Sequence, residues 1–379
     1  MLSVTHYSEH LFTQSTPMTS IPNHANPPFR HWLRDALHPL SDAGAWNRLL
    51  GRVNPLWSVT GIRAKVVDRV TESADTISLW LKPSRRWRGH APGQHLMLGV
   101  EINGVLRRRV FSVSSAARPD RLLRITLQRQ AEGGVTGWLH EHAKKGLVVE
   151  ISEASGKFLL PGPVPDRLLM IAGGSGITPL LAMLHRMADD ACSTDIVLFQ
   201  LYRHRAQHLF AGELADLSRR LPGLSVHAHC SAEHGRLIAN DLASSVPDLG
   251  RRQTLLCGPA PLMEDIAAVW AERGLEEHLQ TERFAAPRPT AGTGTGTQVH
   301  ALGSEQVFTQ VAGRSLLESA EAAGLQPKFG CRAGLCRTCL CQKRSGRVRN
   351  LLTGLVSSQP DEWVQLCISV AESDLELSI

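Results

Sequence analysis

Over about the first 28 residues, Ser, Thr, Asn, His and Pro dominate without a period, the pattern of a poorly ordered arm. Across 30–51, Trp32, Leu33, Leu37, Leu40, Trp46, Leu49 and Leu50 recur at helical spacing, with Pro39 and Gly44 cutting the segment in two. Its polar face is not strongly basic, so it reads as an arm packed on its own protein. A docking helix on a membrane surface is the alternative. From 58 to about 160 the pattern is β. Short runs rich in Val, Ile and Leu at 62–70, 76–81, 95–100, 110–114 and 122–130 are bounded by turns such as Ala91–Pro92–Gly93. One helix, 136–145, interrupts them, and regular short strands of this kind predict a small antiparallel barrel.

Beyond 163 the pattern alternates. Apolar runs at 168–172, 195–202, 224–229 and 253–257 are separated by helical periodicity at 178–188, 212–220 and 261–273. This predicts an α/β unit with a parallel sheet and helices on both faces. A Pro- and Gly-rich linker follows at 285–297. The last segment, 298–379, predicts a hairpin across Gly303–Ser304 and a helix at 315–323, with Ser315 and Glu318 as a capping box. The expected organisation is therefore an arm (1–57), a barrel (58–162), an α/β domain (163–284), the linker and a small α+β domain.

The chain of 379 residues is 42% hydrophobic and 20% charged, which excludes a mostly disordered chain, a collagen and a small disulfide scaffold. Its longest uncharged apolar stretch, 168–184, contains Gly173, Gly174, Ser175, Gly176 and Pro179, so it reads as strand, turn and helix and not as a membrane span. The N-terminus lacks the basic start and apolar core of a signal peptide, and a cytoplasmic location is expected. A net charge of +6 is mild for this length and does not call for nucleic acid.

Five of the eight cysteines fall in the last 49 residues. Cys331, Cys336, Cys339 and Cys367 have the C-x4-C-x2-C…C spacing of a plant-type [2Fe–2S] site. Four thiolates must converge on two irons, and Gly330 and Gly334 let the backbone wrap closely. Structural zinc is the competing reading, but it normally uses two close pairs. Cys341 reads as a bystander, and Cys192 and Cys230 as buried thiols. The strand 168–172 runs into Gly173–Gly174–Ser175–Gly176–Ile177–Thr178–Pro179, where bare N–H groups and a helix start suit a pyrophosphate. No acidic residue ends the next strand. Arg203 and Arg205 stand there instead, which favours the 2′-phosphate of NADPH over NADH, with a solvated basic loop as the bland alternative.

Residues 298–379 resemble a plant-type ferredoxin domain, which carries single electrons. Unlike the acidic plant ferredoxins, this segment balances eight Lys and Arg with eight Asp and Glu. Arg332, Arg337, Lys343, Arg344, Arg347 and Arg349 surround the cysteines, so a basic rim and an acidic or neutral acceptor face are expected. The glycine loop at 173–179 resembles the GGxGxTP loop of the ferredoxin–NADP reductase superfamily, including Gly173, Gly174, Gly176 and Thr178. Cys257–Gly258–Pro259 matches that family's C-G-P, which implies that Cys257 lies beside the nicotinamide. Arg109–Val110–Phe111–Ser112 resembles its R-x-Y-S motif, implying that Arg109 neutralises the flavin pyrophosphate, Phe111 stacks on the ring and Ser112 approaches N5. Gly133–Gly134–Val135–Thr136 matches the second phosphate segment, and Pro92–Gly93–Gln94–His95 the family's P-G-Q-Y.

The resemblance thus implies FAD (with FMN as the alternative), NADPH and a [2Fe–2S] cluster in one relay. Hydride brings two electrons and the cluster takes one, so a flavin must stand between them. The module order resembles reductases of oxygenase systems. Segments 54–58 and 87–94 resemble those serving membrane-bound acyl desaturases and alkane hydroxylases. A reductase for a soluble Rieske-type hydroxylase, and a cluster-based sensor, are the alternatives.

Overall fold

The computed structural model describes residues 43–130, 134–284, 289 and 296–379. The arm to residue 42, Gly133 and most of the linker lie outside the described residues. Helix α1 (Ala43–Val53) is the described end of the predicted arm helix.

Six strands form the first sheet: β1 (Ile62–Thr71), β2 (Thr76–Pro83), β3 (His95–Ile102), β4 (Val105–Ser112), β5 (Leu123–Gln128) and β6 (Val148–Ile151), in the order β4-β3-β6-β1-β2-β5. All neighbouring strands are antiparallel. The sheet curls until Val113, just past β4, bridges Ile125 of β5. Alternation fills the interior: Ala64, Val66, Ile77, Leu79, Leu96, Leu98 and Ile125 are buried. Strand β4 starts five residues before the predicted strand, because an Asn103–Gly104 turn at positive φ (52° and 76°) folds β3 straight back into it. Its early residues, Val105 to Arg107, are exposed on an edge strand, so they carry no burial signal. Helix α2 (Gly134–His142) lies across this sheet, packed on its core through Val135 and Leu139.

The second unit is β7 (Arg167–Gly173), α3 (Ile177–Asp189), β8 (Asp195–Tyr202), α4 (Ala211–Arg220), β9 (Leu224–Cys230), β10 (Gln253–Cys257), α5 (Ala260–Glu272) and β11 (Leu279–Glu282). Its sheet is parallel throughout, ordered β11-β10-β7-β8-β9. Alternate residues of β7 serve opposite faces. Leu168 and Met170 pack with α3, whereas Leu169 and Ile171 pack with Trp270 and Met263 of α5. Between the two units, Arg124 of β5 makes a paired contact with Glu213 of α4, at 2.9 Å from each carboxylate oxygen.

The third unit holds β12 (Gln298–Ala301), β13 (Gln306–Thr309), α6 (Leu316–Ala322), β14 (Leu340–Ser345), β15 (Val348–Asn350), β16 (Val356–Ser357), β17 (Glu362–Gln365), β18 (Ser369–Ala371) and β19 (Leu375–Leu377). They form a five-stranded sheet, β13-β12-β19-β14-β17, and a small sheet β16-β15-β18. Ser315 caps α6 in a capping box with Glu318, as the sequence predicts.

Candidate redox site

The cysteine loop runs from Gly330 to Cys339. Arg332 and Arg337 hold positive φ (57° and 55°) without being glycine, and Gly334 does too (78°), so the chain coils tightly there. The coiling turns backbone N–H groups inward. Those of Ala333, Leu335 and Cys336 donate to Cys331 Sγ at 3.3–3.4 Å, and Cys331 N–H donates to Cys336 Sγ at 3.2 Å. Cys339 and Cys367 bring their sulfurs within 3.2 Å of each other. Each pair shares its proton unequally. Hydrogen bonding from Cys331 draws Cys336 down to about 4, and that from Cys367 draws Cys339 down to about 7. Cys331 and Cys367 are pushed up correspondingly. Among the described residues no three His, Cys, Asp or Glu side chains converge as one metal ion would need. Two thiol pairs fit two bridged irons, two ligands each, better than a single tetrahedral zinc. Cys341, on β14, is buried outside both pairs, and burial pushes its thiol to about 12. Cys230 is buried as predicted, whereas Cys192 is only half-buried.

The expected basic rim is mostly neutralised. Arg332 pairs with Glu321 (2.8 and 2.5 Å), Arg344 with Asp361 (2.7 Å) and Arg349 with Glu372 (2.5 Å). Lys343 is fully buried, bonded to Gly346 O, Ser357 O and Glu362. Arg337 and Arg347 remain exposed. The acids that pair these cations lie up to 23 residues away in sequence, which is why local charge counting overstates the rim.

At the barrel end, Ser112 is buried at the tip of β4 and its hydroxyl donates to Glu282 Oε2 at 3.3 Å. The other carboxylate oxygen meets His95 Nδ1 at 3.0 Å. Strands β10 and β11 align Cys257 beside Glu282. Burial, with the Glu282 charge added, pushes the Cys257 thiol well up, so it stays protonated. Four buried groups from both units thus meet: Ser112, His95, Cys257 and Glu282. Sequence reading missed Glu282, because β11 is four residues long and mostly polar (LQTE). Phe111 is buried next to Ser112, and Val110 is half-buried. Arg109 reaches elsewhere as well: its guanidinium donates to Gly330 O at 3.0 Å, across 221 residues, tying β4 to the cysteine loop.

The glycine loop is close-packed. A Cβ on Gly176 would lie 2.0 Å from Cys257 O, and one on Gly173 2.6 Å from Pro259 Cδ. The two predicted nicotinamide motifs therefore press directly on one another, with Gly258 between them. Thr178 donates to Ser175 O at 2.9 Å, closing the turn into α3. A cavity of about 570 Å³ opens over this junction, lined by Gly173, Gly174, Gly258, Pro259 and, at one side, Arg203. Arg205 does not line it, being held by Glu233 at 2.5 and 2.9 Å. Arg236, which sequence reading overlooked, does. Gly134 adopts φ 76° at the start of α2, and Thr136 Oγ1 accepts from Gln130 N–H at 3.3 Å.

Residues 170–268 match the Oxidoreductase NAD-binding domain family, and residues 299–372 the 2Fe-2S iron-sulfur cluster binding domain family. An NADPH oxidoreductase of Mycobacterium tuberculosis is 33% identical over 330 residues, covering 86% of each chain. The chain belongs to the ferredoxin–NADP reductase superfamily, in the branch that carries a C-terminal plant-type ferredoxin domain. This reductase is also 30% identical over 309 residues to the ferredoxin reductase component of 3-ketosteroid-9-alpha-monooxygenase from the same organism, covering 77% of this chain and 85% of the other. The solved structure of phthalate dioxygenase reductase has its fold, at a TM-score of 0.56 and 22% identity, over 84% of this chain and 97% of that one. The reductase is accordingly an NAD(P)H-dependent oxidoreductase that uses FAD, a pyridine nucleotide and a [2Fe–2S] cluster to transfer electrons. No helix among the described residues is long and apolar enough to cross a membrane.

Proposed function

We propose that this reductase takes hydride from NADPH and delivers electrons singly to a membrane-bound acyl desaturase or alkane hydroxylase. The flavin unit is 58–162, the nicotinamide unit 163–284 and the cluster unit 298–379. The cytoplasm, where thiols stay reduced, suits its eight free cysteines. The observation that carries the reading is the meeting of Ser112, Cys257 and Glu282 at the junction of barrel and α/β unit, with the cysteine loop tied to the same barrel strand through Arg109.

In this reading Arg109, Val110, Phe111 and Ser112, with Gly133 to Thr136, hold the flavin. Gly173, Gly174, Gly176, Thr178, Gly258 and Pro259 hold the nicotinamide end. Arg203 stands at the cavity's side, in reach of a 2′-phosphate, while Arg205 braces the loop through Glu233. Cys331, Cys336, Cys339 and Cys367 are the iron ligands. The flavin, when bound, accepts an electron pair and releases it one electron at a time. Glu282 keeps the Ser112 hydroxyl directed, and Cys257, held protonated by burial, would lie beside the nicotinamide.

A reductase for a soluble Rieske-type oxygenase is the second reading, favoured by the likeness to the monooxygenase component above. Reconstitution decides between them: turnover with a membrane desaturase or alkane hydroxylase and none with a Rieske oxygenase supports the first. Within the chain, Cys336→Ser should abolish cytochrome c reduction and absorption beyond the flavin bands, yet spare ferricyanide reduction by NADPH. Loss of both activities together would sink the modular relay.

A further inference from the structure

Helix α1 sits with its polar side inward. Asn47 binds the segment below it three times: Nδ2 donates to Thr60 Oγ1 (2.8 Å), and Oδ1 accepts from Val59 N–H (2.7 Å) and Ser58 Oγ (3.1 Å). One turn on, Gly51 rests against Arg63, whose guanidinium would lie 3.3 Å from a Cβ there and donates to Pro55 O. At 100° per residue, Leu49 and Val53 point about 160° away from Asn47 and Gly51. They are 54% and 71% exposed, and Trp57 and Val59 just beyond are 50% and 46% exposed. The described part of the arm thus rests on its own protein through Asn47 and Gly51, and leaves Leu49 and Val53 facing outward.

Charge completes the pattern. Between Asp42 and Asp68 the sequence has no acidic residue but has Arg48, Arg52, Arg63 and Lys65. Arg52, Lys65, Arg85 and Arg86 are exposed, and Arg86 donates to Ser58 O at 2.7 Å, which brings the β2 end to the same patch. An apolar and aromatic stripe edged by cations is the chemistry of a helix lying in the headgroup layer of an anionic bilayer. The eleven described residues of α1, about 16 Å long, are by themselves too small to supply the roughly 1,600 Å² of a stable dimer.

We infer that α1, with Trp57 and Val59, docks this reductase on anionic lipid. The surface is separate from the redox site, so it stands or falls independently of which acceptor the reductase serves. The test is co-sedimentation of the full-length holoprotein with vesicles of 3:1 phosphatidylcholine and phosphatidylglycerol, against phosphatidylcholine alone. Binding to the anionic vesicles only, weakened at least tenfold by Leu49→Asp with Val53→Asp and several-fold by Arg52→Glu, is expected. NADPH–ferricyanide activity of the variants should equal wild type, which shows that they fold. The proposal is overturned if wild type stays in solution, if the apolar substitutions leave binding unchanged, or if they only dissociate an oligomer in the absence of lipid, which would assign the stripe to a second copy.

Discussion

Removing Glu213 should loosen the barrel from the α/β unit. Arg124 is 7% exposed and donates to both Glu213 oxygens at 2.9 Å, to Ser114 O at 2.8 Å and to Ser114 Oγ at 3.2 Å. Its guanidinium also lies over Trp80 and Phe210, at 5.3 and 4.9 Å from their ring centres. Glu213→Ala leaves that cation buried and unpaired. Breaking a buried pair from one side costs roughly 3–5 kcal/mol, and the Glu213 side chain, 26% exposed, admits water that brings this to about 2–3 kcal/mol. At about 2–4 °C per kcal/mol for units of this size, Tm should fall by roughly 5–10 °C, read by calorimetry on the flavin-loaded protein. Burial pushes Glu213 up, but hydrogen bonds from His185 and Arg124 outweigh it and hold the carboxyl at about 2, below its ordinary 4.5. The stabilisation is therefore complete above pH 4.5 and is lost as pH falls toward 2. The gap between wild type and variant should close over that window. A Tm drop under about 2 °C, or a gap that widens with acid, would refute the reasoning.

Three other outcomes follow from the site. Arg203→Ala should lower kcat/KM for NADPH about tenfold and leave NADH unaffected, while Arg205→Ala, which only frees Glu233, should change the ratio little; steady-state kinetics with both coenzymes checks this. Gly176→Ala, whose Cβ would sit 2.0 Å from Cys257 O, should raise KM for the nucleotide at least tenfold by forcing the two loops apart. Glu282→Gln should slow flavin reduction by NADPH in stopped flow by about tenfold or more, with nucleotide affinity nearly unchanged, because it disturbs Ser112 and His95 and not the cavity.

The three modules were legible because each rests on a local signal: alternation in the barrel strands, strand-to-helix alternation in 163–284, and cysteine spacing after 298. Seven of the β and α segments from β7 to α5 start and end within two residues of their predicted limits. The losses share a physical cause. Strand β4 begins on an exposed cationic edge, and β11 is four residues of mostly polar chain, so neither displays a buried period. Glu282 depends on β11 pairing with β10, and the neutral rim depends on acids brought in from distant strands. Sequence shows what a residue is next to in the chain, and these features depend on what folding places next to it.

The Arg109–Gly330 bond bears on the direction of electron flow. The guanidinium is held on Gly330 O, one residue before Cys331, while its neighbour Arg332 is offset by Glu321. A lasting cation at that point favours the more negative, reduced state of whatever the cysteines hold, and so raises its midpoint potential relative to the same site without it. The arginine that grips the loop thereby also makes the hand-over from barrel to loop more downhill, and the onward step to the acceptor correspondingly less so.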